Sequence, residues 1–86
     1  MPPASPIQVR VLLFARYAEL LGATALSLDL PAGSTVRDAV ESLRRLPGGG
    51  ALPGQLLVAR NLEQVPAGTI LAAGDELALL PPMSGG

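Results

Sequence analysis

One segment of this chain carries a full helical signature. In STVRDAVESLRRLPGGG, residues 34–50, Val36, Ala39, Val40, Leu43 and Leu46 recur at helical spacing along a single stripe. Thr35 stands where an N-cap belongs and Asp38 lies three residues on, an acidic variant of the capping box. Glu41 and Arg45 are spaced as an i,i+4 pair in the favourable order. Pro47 and the glycines at 48–50 stop the helix, and residues 47–54 are expected to form a mobile loop. A helix with one apolar stripe must bury that stripe against another layer. The rest of the sequence supplies that layer as short alternating runs.

IQVRVLLF, residues 7–14, reads as a strand: Ile7, Val9, Val11 and Leu13 share one parity, and Gln8, Arg10, Leu12 and Phe14 the other. The second set begins polar and ends apolar. ARYAELLG continues as a short helix over 16–21, closed by Gly22. ALSLDL, residues 25–30, alternates with Leu26, Leu28 and Leu30 on one face, and is expected to pair antiparallel with the first strand. QLLVARN, 55–61, is a third strand ending at the turn-tolerant Asn61; PAG, 66–68, is a turn. A Gly74-Asp75 turn leads into a last strand, Glu76–Leu80, in which Leu77 and Leu79 oppose Glu76, Ala78 and Leu80. Pro81 cannot donate to a ladder, so pairing ends there. Asp75 and Glu76 read as turn and edge residues.

These elements describe an α+β domain of two layers, a mixed sheet with one main helix packed on one face. With 86 residues and 49% hydrophobic composition, the chain has material for one such domain over residues 7–80. Residues 1–6 and 81–86 read as flexible tails. One helix covers one side of a sheet. The apolar residues of the other parity, Leu12, Phe14, Ala78 and Leu80, therefore form a candidate partner site, unless the short helix or a loop covers them.

Composition removes several functions. The chain has no cysteine and no histidine, and its six cationic side chains are all arginine. Thiolate chemistry, a histidine general base and lysine Schiff bases are thereby excluded, and no metal site is expected. A net charge of −1 and a single Phe and Tyr, without Trp, argue against nucleic acid as a partner. No apolar run approaches the ~18 residues of a membrane span, and MPPASP is not a signal peptide, so the expected compartment is the cytoplasm.

The final residues, Pro81-Pro82-Met83-Ser84-Gly85-Gly86, have a chemical reading. The two prolines favour an extended course that projects the last four residues away from the body. Gly85 and Gly86 are thin enough to thread a narrow channel and leave the terminal carbonyl unobstructed. A carboxylate is a poor electrophile and needs activation, for instance as an acyl-adenylate. PGGGALPG, residues 47–54, lacks the Lys-Ser/Thr of a phosphate-binding loop, so another protein would have to supply the ATP site.

VRVLLFARYAELLG (9–22), LPAGSTVRDAVESL (30–43), LLVARN (56–61) and AAGDELALLPPMSGG (72–86) together resemble the small, sulfur-carrying subunit family of molybdopterin synthase. The resemblance implies a β-grasp, ubiquitin-like fold. It implies that Gly86 is adenylated by an ATP- and zinc-dependent ubiquitin-activating-type enzyme and then converted, with sulfur from a donor protein, to a thiocarboxylate. It further implies that the tail, Pro81 to Gly86, enters the large synthase subunit in a heterotetramer, where the sulfur passes to cyclic pyranopterin monophosphate. ATP and zinc would belong to the activating enzyme, with no cofactor bound stably here. Phe14 and Leu80 match the family's apolar partner patch, with Leu12 and Ala78 beside them; a third patch position falls near Gln64, polar in this chain. Arg16 and Arg60 could flank the tail. Other readings are a carrier for thiazole or tRNA thiolation, a ubiquitin-like protein modifier, and an interaction module with an inert tail.

Overall fold

The computed structural model describes residues 6–80. The expected tails, apart from Pro6, lie outside them. The elements are β1 (Ile7–Leu12), α1 (Ala15–Leu21), β2 (Ala25–Leu30), α2 (Val36–Arg44), a 3₁₀ turn (Gly49–Ala51), β3 (Leu57–Arg60), β4 (Glu63–Val65) and β5 (Glu76–Leu80). The five strands form one mixed sheet in the order β2-β1-β5-β3-β4. β1 pairs antiparallel with β2 and parallel with β5; β3 pairs antiparallel with both β5 and β4. With α2 laid across one face, this is the expected β-grasp arrangement.

The parity of each strand decides what is buried. Val9 and Val11 of β1, Leu28 and Leu30 of β2, Val58 of β3, and Leu77 and Leu79 of β5 meet Val36, Ala39 and Leu43 of α2 in one core, joined by Leu13, Tyr17, Leu52 and Leu71. The α2 start is fixed as the sequence predicts: the Asp38 amide donates to Thr35 Oγ1 at 3.3 Å, and the Thr35 amide donates to Asp38 Oδ2 at 2.9 Å. The two bonds satisfy amides that a helix otherwise leaves unpaired.

Four expectations change. The helix ends at Arg44 with Arg45 as its C-cap, so Arg45 lies beyond the last helical turn that would hold it against Glu41. Glu41 instead approaches Arg44, at 3.8 Å, in a half-exposed pair worth little. The 47–54 segment is tied down rather than loose. Arg44 donates to the carbonyls of Leu52, Pro53 and Gly54 at 3.0, 2.8 and 3.3 Å, and Leu52 is buried. A further strand at the far edge, β4, is formed by the short run EQV of residues 63–65. Asn61 and Leu62, with φ of 50° and 75°, make the tight turn that brings it back on β3, Arg60 opposite Glu63. Finally, Glu76 is not an edge residue: the parallel β1–β5 pairing puts β5 in the middle of the sheet.

Gly48 shows how closely the 47–54 segment is packed. It has φ of 86°, and a Cβ there would stand 1.8 Å from the Leu20 carbonyl oxygen. Gly74 has φ of 85° and open space around it. Gly74→Ala should therefore cost about 1 kcal/mol, the penalty of a left-handed alanine. Gly48→Ala should cost at least about twice that, because backbone must also move. Urea unfolding of the two variants checks the order; equal losses would mean that the contact between this turn and α1 is not tight.

Candidate functional site

The sheet face away from α2 has two halves. Register sets Leu12 beside Ala25 of β2 and Ala78 of β5, and Ala78 beside Ala59 of β3, which in turn faces Gln64 of β4. Leu80 pairs with Leu57 on the same face. Leu12, Ala78, Leu80 and Leu57 are half-buried, and Phe14, just past β1, is 48% exposed. One residue pair towards the start of β1 the face turns polar: Arg10 stands between Ser27 and Glu76, and the Gln8 amide donates to Asp29 Oδ1 at 3.3 Å. The apolar half thus lies at the end of the sheet where β5 leaves it, at the foot of residue 81.

α1 does not shelter this half. It sends Tyr17, 4% exposed, into the main core, and its Leu20 carbonyl lies against the turn at Gly48, on the α2 side of the sheet. Ala15, with φ of 47°, turns the chain sharply out of the extended Phe14, so that β1 ends and α1 begins on the opposite side from the apolar face. A left-handed alanine costs about 1–2 kcal/mol. The turn leaves the Phe14 ring outside.

A polar latch holds the start of β5 between its neighbours. Asn61 accepts from the Glu76 amide at 2.9 Å and donates to Asp75 Oδ1 at 3.1 Å. Asp75 Oδ2 accepts from the Ala72 amide at 2.8 Å, and the Asp75 carbonyl accepts from the Arg10 amide at 3.0 Å. Asp75, which in sequence reads as a simple turn residue, is buried and bonded on both oxygens. Its bonds fix the start of β5.

Of the predicted site residues, Leu12, Ala78 and Leu80 lie together on the open face, and Phe14, two residues past Leu12 in extended backbone, is exposed. Gln64 is exposed at its β4 rim. Arg16 is exposed at the start of α1. Arg60 registers with Leu77, three residues before the end of β5, and its guanidinium donates to the Ile70 carbonyl at 3.3 Å. Pro81, Pro82, Met83, Ser84, Gly85 and Gly86 lie outside the described residues. Leu57 also belongs to the patch; sequence reasoning misses it, because the adjacent Leu56 and Leu57 leave the parity of β3 ambiguous. Among the described residues, no group of three or more His, Cys, Asp or Glu could hold a metal ion, and no helix is long and apolar enough to cross a membrane.

The ThiS family model matches residues 11–86. A molybdopterin synthase sulfur carrier subunit of Arabidopsis thaliana is 37% identical over 83 residues, covering 95% of this chain and 86% of that protein. Small archaeal modifier protein 1 of Haloferax volcanii is 40% identical over 83 residues, covering 86% of this chain and 95% of that protein. The crystal structure of SAMP1 from Haloferax volcanii superposes with a TM-score of 0.77 at 36% identity, covering 92% of this chain and 99% of the other.

Adjacent residues at the end of β1 should differ sharply in what they hold. Leu13 is 2% exposed in the core and Phe14 is 48% exposed outside it. Leu13→Ala should cost roughly 2–5 kcal/mol. Phe14→Ala should cost less than about 1.5 kcal/mol, because half of the ring is already in water. Denaturant midpoints measure both; a Phe14 loss equal to that of Leu13 would place the ring in the core rather than on a partner face.

Proposed function

The chain belongs to the ThiS family, and from that membership we propose that it is a sulfur carrier whose working group is the carboxylate of Gly86. An adenylating enzyme of the ubiquitin-activating type, bringing its own ATP and zinc, binds the open face and receives the tail. The Gly86 carboxylate attacks the α-phosphorus of ATP and pyrophosphate leaves. The terminal sulfur of a donor protein's persulfide then attacks the acyl carbon and AMP leaves; a thiol reduces the resulting acyl disulfide, which frees the donor and gives the thiocarboxylate. Sulfur is a softer and stronger nucleophile than carboxylate oxygen, and it is carried to an acceptor on the backbone terminus of a chain that has no thiol.

In this reading the acceptor is cyclic pyranopterin monophosphate, held by the large subunit of molybdopterin synthase in a cytoplasmic heterotetramer. Phe14, Leu80, Leu12 and Ala78 dock the carrier. Pro81, Pro82, Met83 and Ser84 reach into the partner, and Gly85 passes its narrow entrance. The observation that carries the proposal is the convergence of the apolar half of the open face on the last residue of β5, where Leu80 leads directly into the tail. The 37% identity to a molybdopterin synthase sulfur carrier subunit supports this choice of acceptor.

A second reading is favoured by the 40% identity to an archaeal modifier protein. Here the same activated Gly86 is transferred to an amine of another protein. Both readings share the first chemical step and part only at the acceptor.

Reconstitution with the activating enzyme, ATP, a sulfur donor, the large subunit and cyclic pyranopterin monophosphate tests the assignment. The wild-type chain should support dithiolene formation, and a chain lacking Gly86 should support none. Phe14→Ala should weaken the complex with the large subunit by at least about tenfold, on the order of 1.4 kcal/mol. Activity retained without Gly86 would overturn the carrier reading. Unchanged binding by Phe14→Ala would move the docking surface elsewhere.

A further inference from the structure

An activated glycyl end is a danger to its own chain. An acyl-adenylate reacts with any nearby unprotonated amine, and the commonest such amine on a protein surface is the lysine side chain. This chain has none: all six cationic side chains are arginine. A guanidinium stays protonated and is not acylated under these conditions. Cysteine and histidine are absent too, and the phenol of Tyr17 is buried at 4% exposure.

The fold explains only part of this choice. Arg44 needs a planar fork, since it donates to three successive carbonyls, and Arg60 donates to a fourth. Arg10, Arg16, Arg37 and Arg45 are exposed, and among the described residues none of their guanidinium groups has a hydrogen-bond partner. At such positions lysine would serve solubility and surface charge equally well. Arg37 and Arg45 stand on or at the end of α2, across the sheet from the apolar face.

Resting on the carrier reading above, we propose that the body of this chain is built without side-chain acceptors for its own activated terminus, which makes it a single-copy acyl donor. When Gly86 is transferred to an amine of another protein, the amine nitrogen bonds to the acyl carbon, AMP leaves with the acyl oxygen's bond to phosphorus intact, and the displaced proton goes to solvent. The conjugate then carries no lysine from this chain to receive a second copy. No lysine-linked chain then grows from the attached unit, and the pool of activated carrier is not consumed by lysine linkage to itself.

The test compares wild type with the R37K/R45K variant, each incubated with the activating enzyme and ATP, with and without a sulfur donor. Intact mass follows activation, and peptide mapping follows self-linkage. The expected result is equal thiocarboxylate formation by both proteins, no side-chain-linked multimer of the wild type, and a ladder of the variant at multiples of 8.7 kDa, joined from Gly86 to the substituted positions. Multimers of the wild type linked through a side chain would overturn the inference. So would a variant that is activated normally and stays unlinked, because lysine on this surface would then be harmless. If neither protein is activated at all, the carrier reading itself fails and takes this inference with it, an outcome distinct from both of the others.

Discussion

The parallel pairing of β1 with β5 is the contact on which the rest of the molecule depends. It joins residues near the two ends of the described chain, Arg10 with Glu76, Val11 with Leu77 and Leu12 with Ala78. On one side of the sheet it sets Val11 beside Leu77 under α2. On the other it sets Leu12 beside Ala78 in the open. Because parallel strands need a long crossover, every other element is strung between these two strands and must fit around them. The same pairing puts β5 at the centre of the sheet, so Leu80, the last described residue, ends a central strand and not a free edge.

One-sided coverage stems from the number of helices. α2 supplies the stripe of Val36, Ala39 and Leu43, α1 adds Tyr17 to the same side, and the clasp of Arg44 on the 52–54 carbonyls closes the layer. No described helix packs against the second face. Its polar half, around Arg10, Glu76, Ser27 and Asp29, is at ease in water; its apolar half is not, and burying it on a partner would recover roughly 25 cal/mol for each Å² covered. A docking surface on this half would be independent of the core. Phe14 is exposed, while Val11 and Leu77 are buried in the core that keeps the fold.

Much of this is legible in the residues. Period-two alternation in 7–14, 25–30 and 76–80 identifies three strands and which side of each is buried, and the 3.6 period with Thr35 and Asp38 identifies α2 and its cap. The four apolar residues of the candidate site come from the same parity argument. What stays hidden depends on contacts distant in sequence. Strand order cannot be read from chain order, so Glu76 reads as an edge residue although it is central. Residues 63–65, two polar residues and one valine, are too short a run to show a periodicity, so β4 escapes notice. Glycines 48–50 suggest looseness, yet at Gly48 the missing side chain serves close packing against Leu20. Asp75 looks like any turn aspartate until Asn61 and Ala72 are brought to it.

The intact mass of this protein isolated from its source cells, with alkylation to trap a terminal thiocarboxylate, bears most directly on the carrier chemistry. A fraction heavier by one sulfur-for-oxygen exchange is expected, localised to Gly86 and lost when the activating enzyme is deleted. A plain carboxylate as the sole species, persisting after incubation with activating enzyme, ATP and a sulfur donor, would mean that Gly86 carries no sulfur.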